Sequence, residues 1–200
     1  GGQCIELYPK KPIYDIPAYP EIIAGDLIEN LLEQIKPFKP SYTLGETAMN
    51  LDKLDDGSFK VTTDKGTEIF AKIIAIAGGL GTFTPRKPNI SNITDYEDNG
   101  ILYMIKDPSE FKDKTVVIAG GGDSALDWSI HLSKISKKVI LIHRRNEFRG
   151  ANDSVASVQK LKDLGKIDVI TPAQVSRLNG KTKLESIIVD IDGNENEIKT

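Results

Sequence analysis

Val116-Val117-Ile118-Ala119-Gly120-Gly121-Gly122-Asp123-Ser124-Ala125, answered by Ile140-Leu141-Ile142-His143-Arg144-Arg145, decides how this chain folds. An apolar run of strand type meets a glycine turn, an apolar helical stretch follows, and a second apolar strand ends in a basic cluster. Gly120 allows the tight turn, Gly122 lets the backbone approach a pyrophosphate, and the small Ala125 lets helix and strand pack closely. A helix opening at Asp123 and Ser124 offers unpaired N–H groups and a partial positive charge to phosphate. Gly-x-Gly-x-x-Ala alone is a weak signal; set between a strand and a helix it is the dinucleotide fingerprint. About 20 residues further on, NAD-binding units place an acid for the ribose 2′-hydroxyl. Here that position holds His143, Arg144 and Arg145, with Arg149 one turn later, so the cofactor is expected to carry a 2′-phosphate. The site reads as NADP(H). Gly120, Gly122, Asp123 and Ser124 are expected at the pyrophosphate, and Arg144, Arg145 and Arg149 at the 2′-phosphate, as planar, permanently charged donors. His143 either stacks on adenine or caps its strand.

Composition sets the outer limits. Two hundred residues, 39% hydrophobic and 28% charged with a net charge of −3, suit one large or two small globular domains. That charge gives no pull toward nucleic acid or an anionic membrane, and no apolar run approaches the ~20 residues of a membrane span. The single cysteine, Cys4, excludes an internal disulfide, a Cys-x-x-Cys pair and a cysteine-rich zinc site within the chain. A cytoplasmic setting is expected. Gly1-Gly2-Gln3 reads like the middle of a longer polypeptide.

The coarse pattern is mixed α/β. Residues 1–20 are irregular and rich in Tyr and Pro. Asp26 is expected to cap a helix, with Glu29 completing a capping box, and Pro37 to end it. Strands at 47–54, 59–63 and 69–77 form a meander around Asp55-Asp56-Gly57 and Asp64-Lys65-Gly66, the last turning wholly apolar at Ile73–Ala77 as a strand entering a buried sheet does. A connector over 82–114 carries the domain boundary, placed between 107 and 108. Beyond it the pattern predicts strand 115–119, helix 123–135, strand 139–143, helix 154–164, strand 167–171 and a closing meander with a turn at Asp192-Gly193-Asn194.

Four blocks, in order, resemble the thioredoxin-reductase-like ferredoxin–NADP(+) reductases: Gly1-Gly2-Gln3 with Leu7-Tyr8-Pro9 and Ile13-Tyr14-Asp15; Ala77-Gly78-Gly79-Leu80-Gly81-Thr82-Phe83 with Pro85-Arg86; Gly120 to Trp128; and His143-Arg144-Arg145 with Phe148-Arg149. The resemblance implies two Rossmann-like nucleotide-binding domains, both incomplete here: part of an FAD domain over 1–107 and an NADP(H) domain over 108–200. It implies FAD beside NADP(H), usually in a homodimer, with Gln3, Tyr8, Ala48 and Phe83 at the flavin and Tyr8 stacked on its ring. The FAD glycine turn is expected before Gly1 and a second FAD segment after Thr200, making the chain an internal fragment.

Thioredoxin reductase is the near relative to set aside. Its Cys-x-x-Cys stretch corresponds here to Tyr103-Met104-Ile105-Lys106, without a thiol. Electrons are therefore expected to leave the flavin directly, toward ferredoxin or a flavodoxin-like carrier. Two other readings stay open: a flavin reductase of the same superfamily with another acceptor, and a module that binds or senses NADPH without turnover. Asp123 and Asp127, one turn apart, read as structural acids near a helix N-terminus. Trp128 and His131 read as packing, and Lys137 and Lys138 as a solvated face.

Overall fold

Lys138–Ile142 is apolar on both faces because both faces are covered. In the computed structural model, which describes residues 2–79, 81, 87–90 and 92–200, Val139 and Leu141 pack against Leu126, Leu132, Val158 and Ile167. Ile140 and Ile142, one residue out of phase, pack the other way, against Ile90, Ile93, Tyr96, Ala173, Leu178, Ile187 and Val189. The two clusters are the two sides of one sheet.

The elements run α1 (Gln3–Glu6), β1 (Pro12–Ile13), β2 (Ile22–Ile23), α2 (Ala24–Ile35), β3 (Ala48–Lys53), β4 (Phe59–Thr63), β5 (Glu68–Ala71), β6 (Thr115–Ala119), α3 (Asp123–Leu132), β7 (Lys138–Ile142), α4 (Asn152–Asp163), β8 (Ile167–Ile170), β9 (Gln174–Gly180), β10 (Leu184–Ile191) and β11 (Asn194–Lys199). Short 3-10 turns lie at Lys36–Phe38, Ile93–Tyr96 and Pro108–Phe111. Strands β6, β7 and β8 form a parallel sheet in that order, joined by α3 and α4, as a βαβαβ unit requires. The antiparallel meander β9–β10–β11 covers its second face. The stretch 90–96 is held there too, with Asn92 Nδ2 donating to the Leu178 carbonyl (2.9 Å) and the Tyr96 hydroxyl to that of Gly180 (3.0 Å).

The early part of the chain departs from expectation in two places. Helix α2 starts at Ala24, and Asp26 lies inside its first turn rather than capping it. No side-chain cap is needed, because the Ala24 N–H donates to the Lys11 carbonyl and the Gly25 N–H to that of Pro9. Gly25 fits closely: a methyl there would stand 3.0 Å from the Pro9 oxygen. The strand expected over 69–77 ends at Ala71, and Ile73 and Ile76 are each 85% exposed. Among the described residues no strand lies beside 72–77 to take its backbone hydrogen bonds, and a strand is defined by its neighbour. The meander β3–β4–β5 itself forms with the expected turns.

Candidate functional site

Helix α3 begins directly after the glycine turn, with Gly122 in extended conformation at its N-cap. Gly120 is tied to β7 through its N–H on the Ile142 carbonyl (2.9 Å), and a methyl on it would stand 2.8 Å from the Ala125 Cβ. The close strand–helix approach expected of Gly120 and Ala125 is thus present. Around Gly122 nothing stands within 4 Å of where a Cβ would be, so that face of the turn is open. The N–H groups of Gly121, Gly122, Asp123 and Ser124 meet no backbone acceptor among the described residues. Donors without a backbone acceptor at a helix N-terminus suit a pyrophosphate.

The basic loop lies against this turn. The Arg149 N–H donates to the Gly121 carbonyl (2.7 Å), and the Ala151 N–H to Asp123 Oδ1 (2.7 Å). Gly150 leaves no room for a side chain, since a methyl there would meet Leu126 Cδ1 at 2.5 Å and Asp123 Oδ1 at 3.1 Å. Arg144, Arg145 and Arg149 are exposed, and none forms an ion pair among the described residues. In a chain with 29 acids, three exposed arginines within six residues and without an ion pair among the described residues leave a local excess of positive charge beside the turn.

His143 follows β7 directly, its N–H on the Ile170 carbonyl (3.2 Å), and its side chain turns inward. It is 6% exposed, lies beneath the turn against Gly121, and stacks on Phe148 with ring centroids 5.6 Å apart. Burial pushes its pKa below the ordinary 6.5, and the charges of Arg149, Arg145 and Arg144 push the same way against a backbone hydrogen bond at Glu147. His131, in T-shaped contact with Trp128, is also lowered, chiefly by burial. The folded state therefore binds fewer protons than the unfolded state just below pH 6.5. Stability contributed by these neutral imidazoles is complete above 6.5 and is lost as pH falls from there toward the folded values. Urea midpoints should drop between pH 7 and pH 5, and His143→Phe, which keeps a ring and removes the titration, should shrink that drop.

Asp123 and Asp127 do separate structural work. Asp123 holds Ala151, while Asp127 pairs with Lys11 (2.7 Å) and accepts from the Ser154 hydroxyl (3.3 Å), linking the early chain to α3 and α4. Lys10 pairs with Asp107 across the same junction. Tyr8 is half-buried; the Lys11 ammonium stands 5.8 Å from its ring centre, and burial, with Cys4 beside it, pushes its phenol pKa up. Gln3 and Ala48 are exposed at the starts of α1 and β3, and Phe83 lies outside the described residues. No hydrogen bond or buried cluster joins Gln3, Tyr8 and Ala48 among the described residues. Sequence reasoning passed over Gly121 and Gly150, although a third glycine in the turn and one directly after Arg149 were the available signals.

A parallel βαβαβ unit, an open glycine turn at a helix N-terminus and a basic loop beside it define a nucleotide-binding α/β protein. Residues 33–195 match the model of the pyridine nucleotide-disulphide oxidoreductase family, and the chain belongs to that family. The expected resemblance is borne out. Ferredoxin–NADP reductase 2 of Christiangramia forsetii is 63% identical over 94% of this chain and 53% of its own length. Ferredoxin–NADP reductase of Flavobacterium johnsoniae is 59% identical over 100% and 57%, and that of Rickettsia felis 48% over 99% and 59%. The chain thus spans a little over half the length of these relatives. Two solved structures share the fold at 23% identity: thioredoxin reductase from T. acidophilum (TM-score 0.80, covering 100% of this chain and 62% of that one) and from Lactococcus lactis in its FR conformation (0.79, 100% and 63%). The mixed α/β architecture of FAD/NAD(P)-binding Rossmann type follows from both comparisons. No helix among the described residues is long and apolar enough to cross a membrane.

Proposed function

We propose that this chain is the NADP(H)-binding part, with a portion of the FAD-binding part, of a ferredoxin–NADP(+) reductase. The observation that carries the reading is the open glycine turn backed by three arginines, without an ion pair among the described residues, on a loop bonded to it. Gly120, Gly122 and the N-terminus of α3 hold the pyrophosphate, and Arg144, Arg145 and Arg149 hold the 2′-phosphate. Asp123 acts through the loop it holds. Gln3, Tyr8, Ala48 and Phe83 contribute to the flavin side in a protein of the relatives' full length. The two parts divide near residue 107, with 90–96 packed on the later one. When bound, NADP(H) supplies or receives a hydride and FAD trades it for single electrons; the chain's own residues place the nucleotide and read its phosphate. Ferredoxin or a flavodoxin-like carrier is the partner. The reading carries with it a cytoplasmic, homodimeric enzyme.

The electron path is tested in the full-length protein. Ferredoxin-dependent cytochrome reduction by NADPH is expected, with negligible reduction of a disulfide dye. Cys4→Ser should keep turnover within about twofold, because Cys4 has the Tyr8 hydroxyl at 4.0 Å for a neighbour and meets no second thiol among the described residues. A large loss of turnover in that variant, with flavin retained, overturns the path.

A further inference from the structure

The sequence places His143 immediately before the two arginines that open the basic loop, and the structure turns its ring inward. A methyl on Gly121 would stand 2.5 Å from both ring nitrogens and as close to the Cε1 between them. A point equally near all three atoms lies over the face of the ring, not off its edge. The Gly121 backbone is therefore seated directly on the imidazole face, in the volume that a side chain at 121 would occupy. The same ring stacks on Phe148 at an interplanar angle of 24°, and Arg149, the next residue, donates its N–H to the Gly121 carbonyl. Nε2 is buried with no hydrogen-bond partner among the described residues. A buried polar atom without a partner costs stability, so the one hydrogen bond the ring makes among the described residues, to the Glu147 backbone, accounts for only part of the imidazole's place here. Its shape accounts for the rest: a flat ring fills the gap between the turn and the loop.

We propose that His143 is a positioning residue, a flat spacer that fixes the basic loop against the glycine turn and thereby sets the preference for a 2′-phosphorylated dinucleotide. This rests on the NADP(H) reading above and adds to it. Both nucleotides use the turn, whereas only the phosphorylated one uses Arg144, Arg145 and Arg149. Close-packed neighbours do not slide independently, so the ring converts the turn and the loop into one body with fixed spacing between two phosphate subsites. Without the ring, the turn keeps its tie from Gly120 to Ile142 and the loop keeps its hydrogen bonds at Arg149 and Ala151, while the packing that fixes the spacing between Arg144, Arg145 and the turn is lost.

The test is a double-mutant cycle on the purified protein, read by calorimetric titration with NADP⁺ and NAD⁺ beside thermal melts. His143→Ala should weaken NADP⁺ by on the order of tenfold, the scale of coupling between touching residues, and NAD⁺ by less than about threefold. Gly121→Ala in the wild type drives a methyl into the ring and should weaken NADP⁺ at least as much. In the His143→Ala background the methyl gains that space, and the cost of Gly121→Ala should largely vanish. If Gly121→Ala alone does not fold, recovery of folded protein in the double variant reports the same coupling. Additive losses, or equal losses for both nucleotides in His143→Ala, overturn the spacer role. A wild type that binds NAD⁺ as tightly as NADP⁺ overturns instead the cofactor reading beneath it, so the two failures are distinguishable.

Discussion

Replacing Arg144, Arg145 or Arg149 singly by Ala should weaken NADPH binding by roughly 10- to 100-fold and leave NADH almost unchanged. A charge-assisted hydrogen bond to phosphate contributes about 1.5–3 kcal/mol, and each 1.4 kcal/mol is a factor of ten. The native geometry favours the upper part of that range for Arg149, because its backbone is already bonded to Gly121 and little ordering remains for binding. None of the three has a carboxylate to abandon among the described residues, so no ion pair must break first. Since the arginines are exposed, the effect should shrink as salt is raised. Fluorescence titration of the wild type and the three variants with both nucleotides checks this. Parallel losses for NADPH and NADH would assign the cluster to the fold rather than to the phosphate.

Much of this was legible in the chain because the signals were local. The apolar run 139–142, the glycines at 120–122 and the small Ala125 specify a strand, a turn and a close helix contact within 25 residues, and β6, α3, β7, α4 and β8 follow within one to three residues of the pattern. What the sequence concealed depends on partners distant in the chain. Asp26 with Glu29 reads as a capping box, yet the carbonyls of Pro9 and Lys11 had taken the helix N–H groups two residues earlier. Ile73–Ala77 has the composition of a buried strand, but a strand needs a neighbour, and composition does not supply one. His143 is the plainest case. At a strand end beside arginines it reads as a group that stacks on adenine or caps the strand, and only the structure shows that its ring fills the side-chain space of Gly121. Gly121 and Gly150 are glycines for the same reason: each yields its side-chain space to another residue, His143 in one case and Leu126 with Asp123 in the other.

Leu126→Ala should be the most damaging conservative change in the later part of the chain, lowering stability by about 2–5 kcal/mol and the melting temperature by about 5–15 °C. Leu126 is fully buried at the first turn of α3, among Leu132, Val139, Leu141, Val158 and Ile167, where α3, α4 and the parallel sheet meet. Helices and strands on every side are fixed by their own hydrogen bonds, so collapse around the lost methyl groups would be incomplete and most of the cavity would persist. The loss should also reach the site. Leu126 Cδ1 occupies the place where a Gly150 side chain would stand, and Gly150 joins Arg149 to Ala151, the two residues bonded to the glycine turn. A cavity at Leu126 removes the floor beneath that connection, so NADPH affinity should fall more than NADH affinity even in the fraction that remains folded. Urea unfolding paired with nucleotide titration at a temperature well below the melt separates the two effects. Unchanged stability would show that the cluster is not the core it is taken to be. Lost stability with an unchanged NADPH-to-NADH ratio would show that the loop is held by its hydrogen bonds alone, without support from the packing below.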